Sequence, residues 1–236
     1  MSYILHIETS SSGCSAAVSD DDRLLGFKSI DTGLSHAAKI TILIREVMQM
    51  SEIDFNQLSA VAVSRGPGSY TGLRIGVSAA KGICYALNIP LLSVVSLQIM
   101  AARVLVQYLK KNNMPAGFLC PMLDARRMEV YSAVYDSALA PVREIIAEVI
   151  DINSYSNWPA GERIYFFGPG AEKCRTIISH PSAVFLEGVT PLAQDMPVLV
   201  APLFYKGQYE DTGYFEPYYL KDFIATIPRK NIIGHK

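Results

Sequence analysis

The stretch with the most chemical promise is SRGPGSYTGLRIG, residues 64–76. It sets Gly66, Gly68, Gly72 and Gly76 among the hydroxyls of Ser69 and Thr71, ahead of an apolar run. Glycine allows positive φ and close backbone approach, and the N–H groups of a helix start hold anions. Phosphate binding is therefore the chemistry to test. A Walker-type loop needs Lys after its last glycine, where Leu73 stands, and dinucleotide spacing needs a glycine at position 71, which is Thr. A tight turn that lets the next helix pack closely is the favoured reading, with a nucleotide loop as the alternative.

Two further groups carry charge or hydroxyls. ETSS (Glu8, Thr9, Ser10, Ser11) could meet a phosphate–magnesium unit, although Gly13 arrives only after the polar run. DARRMEVY, residues 124–131, sets Asp124 at a strand end, Arg126 and Arg127 in a turn and Glu129 at the next strand. Exposed Asp–Arg pairs contribute little, whereas Arg forks suit carboxylates and phosphates; both readings stay open. A metal centre is not expected. The helical partner position of His36 is Ile40, and His6, His180 and His235 have no companions at ligand spacing. No GxSxG elbow occurs. Cys14, Cys84, Cys120 and Cys174 lie far apart in apolar or small-residue settings, as for buried reduced thiols.

The elements that must position these residues can be read from the pattern. Half of the 236 residues are apolar and 18% are charged, enough for a sizeable core. The net charge of −1 excludes a protein that grips nucleic acid by its own basic field. The N-terminus lacks the basic region of a signal peptide, and no apolar run approaches a membrane span, so a cytoplasmic protein is expected. Strands are expected at 3–7, 14–18, 23–30, 59–64 and 90–96. Helices are expected at 36–50 (capped by Ser35), 73–87 and 97–111. That order argues α/β with a mixed sheet. Residues 112–117 form the clearest break, dividing 1–112 from 113–236. Beyond it come strands at 117–125, 128–136, 142–150, 163–168 and 183–188 and a helix near 171–179, an abbreviated echo of the first half. The aromatic stretch from about 204 should pack back on the body. Helix 73–87 is apolar on more than one face and rich in small residues, which points to a subunit interface.

Taken in order, ILHIETSSSGCSAAV, SRGPGSYTGLRIGVSAAKGICYAL, PLLSVVSLQIMA, MLDARRMEVYSAVY and EPYYLKDF resemble the bacterial TsaB (YeaZ) family, over residues 3 to about 225. The resemblance implies duplicated α/β domains of the actin, sugar-kinase and heat-shock ATPase type (ribonuclease-H-like), the second reduced. It implies a non-catalytic partner of a TsaD-like catalytic subunit, joined by a TsaE-like P-loop ATPase. Together they support threonylcarbamoyl transfer to adenosine 37 of ANN-decoding tRNAs. It also implies a homodimer when alone, tRNA contact only through the complex, and no membrane. Partner contacts are then expected on His36, Lys39, Leu43, Leu73, Arg74, Val77, Ala80, Lys81 and Cys84. Nucleotide or anion contacts would fall on Glu8, Thr9, Ser10, Gly66, Gly68, Ser69, Thr71, Asp124, Arg126 and Arg127, with Gly168–Pro169–Gly170 on the adenine side. These phosphate elements depart from the superfamily pattern, so no cofactor is expected to be required and ATP or ADP would sit at the complex interface. The alternative is an ATP-dependent kinase or hydrolase of the same fold. A metallopeptidase, an older label for such proteins, lacks the H-x-x-x-H pair at His36 and Ile40.

Overall fold

A computed structural model describes residues 2–31, 36–110, 112–159 and 161–220, with the backbone alone at 36–38 and 110. The Ser35 cap and the side chain of His36 lie outside the described residues. Strands β1 (Tyr3–Glu8), β2 (Cys14–Asp20) and β3 (Arg23–Ile30) form an antiparallel meander. Helix α1 (His36–Met50) leads to β4 (Leu58–Gly66), α2 (Tyr70–Leu87) leads to β5 (Leu91–Val95), and both strands add in parallel beyond β1. The order is β3-β2-β1-β4-β5. Central β1 and β4 read as near-continuous apolar runs because both of their faces are covered.

The second sheet repeats this plan. Strands β6 (Phe118–Asp124), β7 (Glu129–Tyr135) and β8 (Pro141–Val149) make the meander, and β9 (Ile164–Phe167) and β10 (Ala183–Leu186) add in parallel. The order is β10-β9-β6-β7-β8. Where the first half has α1, the second has only turns at 152–157. Where the first has α2, the second has the four-residue α4 (Ala171–Cys174), so the helix expected at 171–179 is cut to its first turn.

One face of the first sheet is covered by Ile40, Leu43, Ile44 and Val47 of α1 with Val77, Ala80 and Cys84 of α2. The other face is covered by Ile99 of α3 (Ser96–Arg103) and by Met196 and Val200 at α5 (Pro197–Tyr205). Leu97, Met100 and Ala101 of α3, with Val104, Leu105 and Leu109 of its π-helical continuation Val104–Lys110, cover the second sheet. Residue 112 thus separates the two sheets, while the helical layers cross it.

Four cysteines are free and buried. Burial pushes the Cys84 thiol up to about 11 and the Cys120 thiol up to about 12, which leaves them protonated and unreactive. Among the described residues no helix is long and apolar enough to cross a membrane.

Candidate functional site

Three features bring the chemically interesting residues together, and the first is the junction of β1 with the glycine loop. Glu8, Thr9 and Ser10 are almost fully buried. The Glu8 carboxylate accepts the Ser10 N–H at 2.5 Å, and the Ser10 carbonyl accepts the Ser69 N–H at 2.7 Å. Ser69 caps α2 by accepting the Gly72 N–H at 3.2 Å, so the helix starts three residues earlier than its apolar pattern suggests. A side chain at Gly68 would strike the Ser10 carbonyl, and one at Gly76 would strike the Thr9 hydroxyl. Gly66, at φ +107°, lies against the Tyr218 carbonyl. The glycines therefore let α2 press onto the hairpin.

This geometry bears on the nucleotide that the fold implies. The Thr9 and Ser10 hydroxyls have no hydrogen-bond partner among the described residues, but they are sealed from solvent and faced by the chain's own backbone. A phosphate does not fit there. Thr71, by contrast, is exposed.

The second feature is the turn after β6. Asp124 accepts the Arg126 N–H at 2.9 Å and an ion pair from Lys173, whose ammonium also donates to the carbonyls of Arg127 (2.6 Å) and Glu129 (2.8 Å). Arg126 and Arg127, at φ +73° and +50°, are exposed. Nearby, a cleft of about 310 Å³ opens between Ser12 of the first hairpin and Gly168, Pro169, Glu172, Arg175 and Phe185 of the second half. Its arginine is already engaged, donating to Glu187 at 2.7 Å, and its glutamates are ill suited to an anion.

The third feature is a groove of about 560 Å³ between α1 and α2. Ile40, Ile75 and Ala79 form its floor, and Thr41, Thr71 and Ser78 line its rim with hydroxyls. Tyr70 and Arg74 close one end. The guanidinium carbon of Arg74 lies 4.1 Å from the Tyr70 ring centre, and its Nε donates to the Tyr219 hydroxyl at 3.1 Å. The segment bearing Tyr219 is strapped across the molecule. Glu210 N–H donates to the Leu91 carbonyl (2.8 Å), Lys81 donates to the Gly213 and Phe215 carbonyls (3.0 and 3.2 Å), and Tyr218 N–H donates to the Arg65 carbonyl (2.7 Å).

The residues expected at a partner interface divide here. Leu43, Leu73, Val77, Ala80 and Cys84 are buried against the chain's own sheet and cannot be reached by a partner. Lys81 is tied to the strap and Lys39 is half-buried. Arg74 faces outward into the groove. Ile75, Ser78 and Ala79, one helical turn from Thr71, Arg74 and Ile75, also line the groove and were not among the expected contacts.

Paired sheets of this topology define the α/β class of the actin-like ATPases and sugar kinases. A solved activator of 2-hydroxyisocaproyl-CoA dehydratase from Clostridium difficile, with bound ADPNP, shares the fold at a TM-score of 0.51 and 6% identity, over 87% of this chain and 97% of that one. A solved Pseudomonas aeruginosa protein, described as similar to peptidase YEAZ, superposes at a TM-score of 0.82 with 25% identity, over 94% of this chain and all of that one. Residues 30–180 match a family model described as TsaD, tRNA N6-adenosine threonylcarbamoyltransferase. The tRNA threonylcarbamoyladenosine biosynthesis protein TsaB of Escherichia coli K12 is 26% identical over 229 residues, covering 94% of this chain and 96% of that protein. The chain belongs to the TsaB (YeaZ) family, within the broader grouping that the TsaD model describes.

Proposed function

We propose that this chain is a non-catalytic subunit of a tRNA-modifying complex, which binds a TsaD-like subunit and thereby supports threonylcarbamoyl transfer to adenosine 37 of ANN-decoding tRNAs. The observation that carries the reading is the α1–α2 groove, an apolar floor with a hydroxyl rim that the described residues leave open. The names of the relatives supply the pathway. The buried Glu8–Ser10 junction supports the absence of a catalytic role, because Glu8 is sealed from solvent and one of its carboxylate oxygens already accepts the Ser10 N–H. On this reading any ATP or ADP of the assembly belongs to its partners, a TsaE-like ATPase among them. tRNA is met only through the complex, the setting is cytoplasmic, and in the absence of a partner two copies pair through the same groove. A metallopeptidase is disfavoured by the sequence, where Ile40 stands in place of the second histidine of an H-x-x-x-H pair with His36.

The test is reconstitution with TsaD-like and TsaE-like proteins, leaving out each component in turn and measuring threonylcarbamoyladenosine in tRNA. Ser78→Trp, at an exposed rim position, should fill the groove, abolish co-elution with the TsaD-like subunit and stop modification while the thermal melt of the free chain stays unchanged. A variant that still co-elutes and supports modification would overturn the reading.

A further inference from the structure

We propose that Arg74 receives a carboxylate carried by the protein that docks in the α1–α2 groove, and that Tyr219 of the C-terminal strap is the residue that positions it. The inference rests on the docking reading and names the chemistry of the occupant.

Among the described residues that line the groove, Arg74 is the one cation and none is an acid. Its side chain is nonetheless fixed. The guanidinium stacks 4.1 Å from the Tyr70 ring centre and 5.8 Å from that of Tyr219, and the two rings lie 5.0 Å apart. The Nε donates to the Tyr219 hydroxyl at 3.1 Å. Among the described residues the contacts of Arg74 are thus with the neutral rings and hydroxyls of Tyr70 and Tyr219, and its guanidinium stays exposed at the groove. A planar fork held in place loses little entropy when a carboxylate arrives, and it matches that group with two parallel hydrogen bonds.

The surroundings select a protein carboxylate over a nucleic-acid phosphate. A phosphate backbone is gripped by many cations along a polar track, whereas here Arg74 is the one cation among the described residues beside Ile40, Ile75 and Ala79. Small and aliphatic side chains along one face of a helix, with a Glu or Asp at its end, complement that floor and that charge. Tyr219 reaches the site only because the strap is fastened at Leu91, Lys81 and Arg65. The docking surface therefore includes a residue 145 positions from Arg74 in sequence.

The experiment titrates the full chain with the TsaD-like subunit of the same organism, at low and high salt, by calorimetry. Arg74→Gln should weaken binding by about tenfold or more and flatten its salt dependence. Arg74→Lys should fail to restore it, since an ammonium lacks the fork. Arg74→Glu should bind worst at low salt and recover as salt rises. Tyr219→Phe keeps the ring and removes the hydroxyl; it should weaken binding severalfold and reduce the salt slope without changing the melt. If Arg74→Gln and Arg74→Glu bind like the wild type while Ser78→Trp does not bind, the carboxylate proposal is overturned and the docking reading stands. If Ser78→Trp also binds normally, the docking reading falls and takes this proposal with it.

Discussion

His6 sits in the central strand with no exposed surface, its Nε2 2.7 Å from the Ser19 hydroxyl. Burial holds its pKa down at about 3, against an ordinary 6.5. The unfolded chain therefore takes up a proton as pH falls below 6.5 while the folded chain refuses it. His6 costs stability progressively between pH 6.5 and 3, at most about 1.4 kcal/mol per pH unit. Replacing it by Gln should flatten that acid limb, as read from urea midpoints across the range. Sequence alone identified His6 as a histidine without metal companions, but its neutrality is a property of the packing. Arg74 is similar. Its type and its place on a helix were legible, whereas the tyrosine that orients it arrives from the far end of the chain.

At the scale of elements, α2 shows where local pattern suffices and where it does not. Its apolar spacing located the helix, yet the first turn belongs to Ser69, whose cap contributes about 1 kcal/mol. The glycines inside it are of two kinds. A methyl at Gly76 collides with Thr9, while one at Gly82 meets nothing within 4 Å. Gly82→Ala should raise stability by roughly 0.5–1 kcal/mol through helix propensity. Gly76→Ala should lower it despite the same gain, and thermal melts of the pair give opposite signs. Helix α5 escaped the sequence reading because VLVAPLFY is apolar throughout, without a period to betray it, and carries Pro202 inside. The expected helix 97–111 turns π-helical after Arg103, which no spacing rule announced.

At the scale of the whole molecule, each half completes the other. The two runs of three strands and the order of elements along the chain were legible, because turn residues and apolar alternation mark them locally. The exchange of helical layers was not, because it depends on contacts between distant residues. Asp195 marks that exchange. It is buried where α5 approaches α3, and it accepts from Arg103 at 3.3 Å and Gln107 at 3.2 Å. Burial raises its pKa to about 6 from 3.8, partly offset by Arg103. The folded chain then holds this proton more tightly than the unfolded one. Its favourable contribution is complete below about pH 4 and is lost as pH rises toward 6. That slope opposes the one from His6. Asp195→Asn should steepen the net rise in stability from pH 4 to 6, measured as the difference from wild type in chemical unfolding.

The junction of Ser69 and Gly68 with Ser10 carries one more consequence. Kinases and related folds change shape by hinging around a nucleotide that comes and goes. Here the chain's own α2 is bonded to the first hairpin through Ser69 and Ser10 and seated on it at Gly68 and Gly76. The first sheet is latched from within. On the docking reading proposed above, α2 offers its groove already braced against the first hairpin.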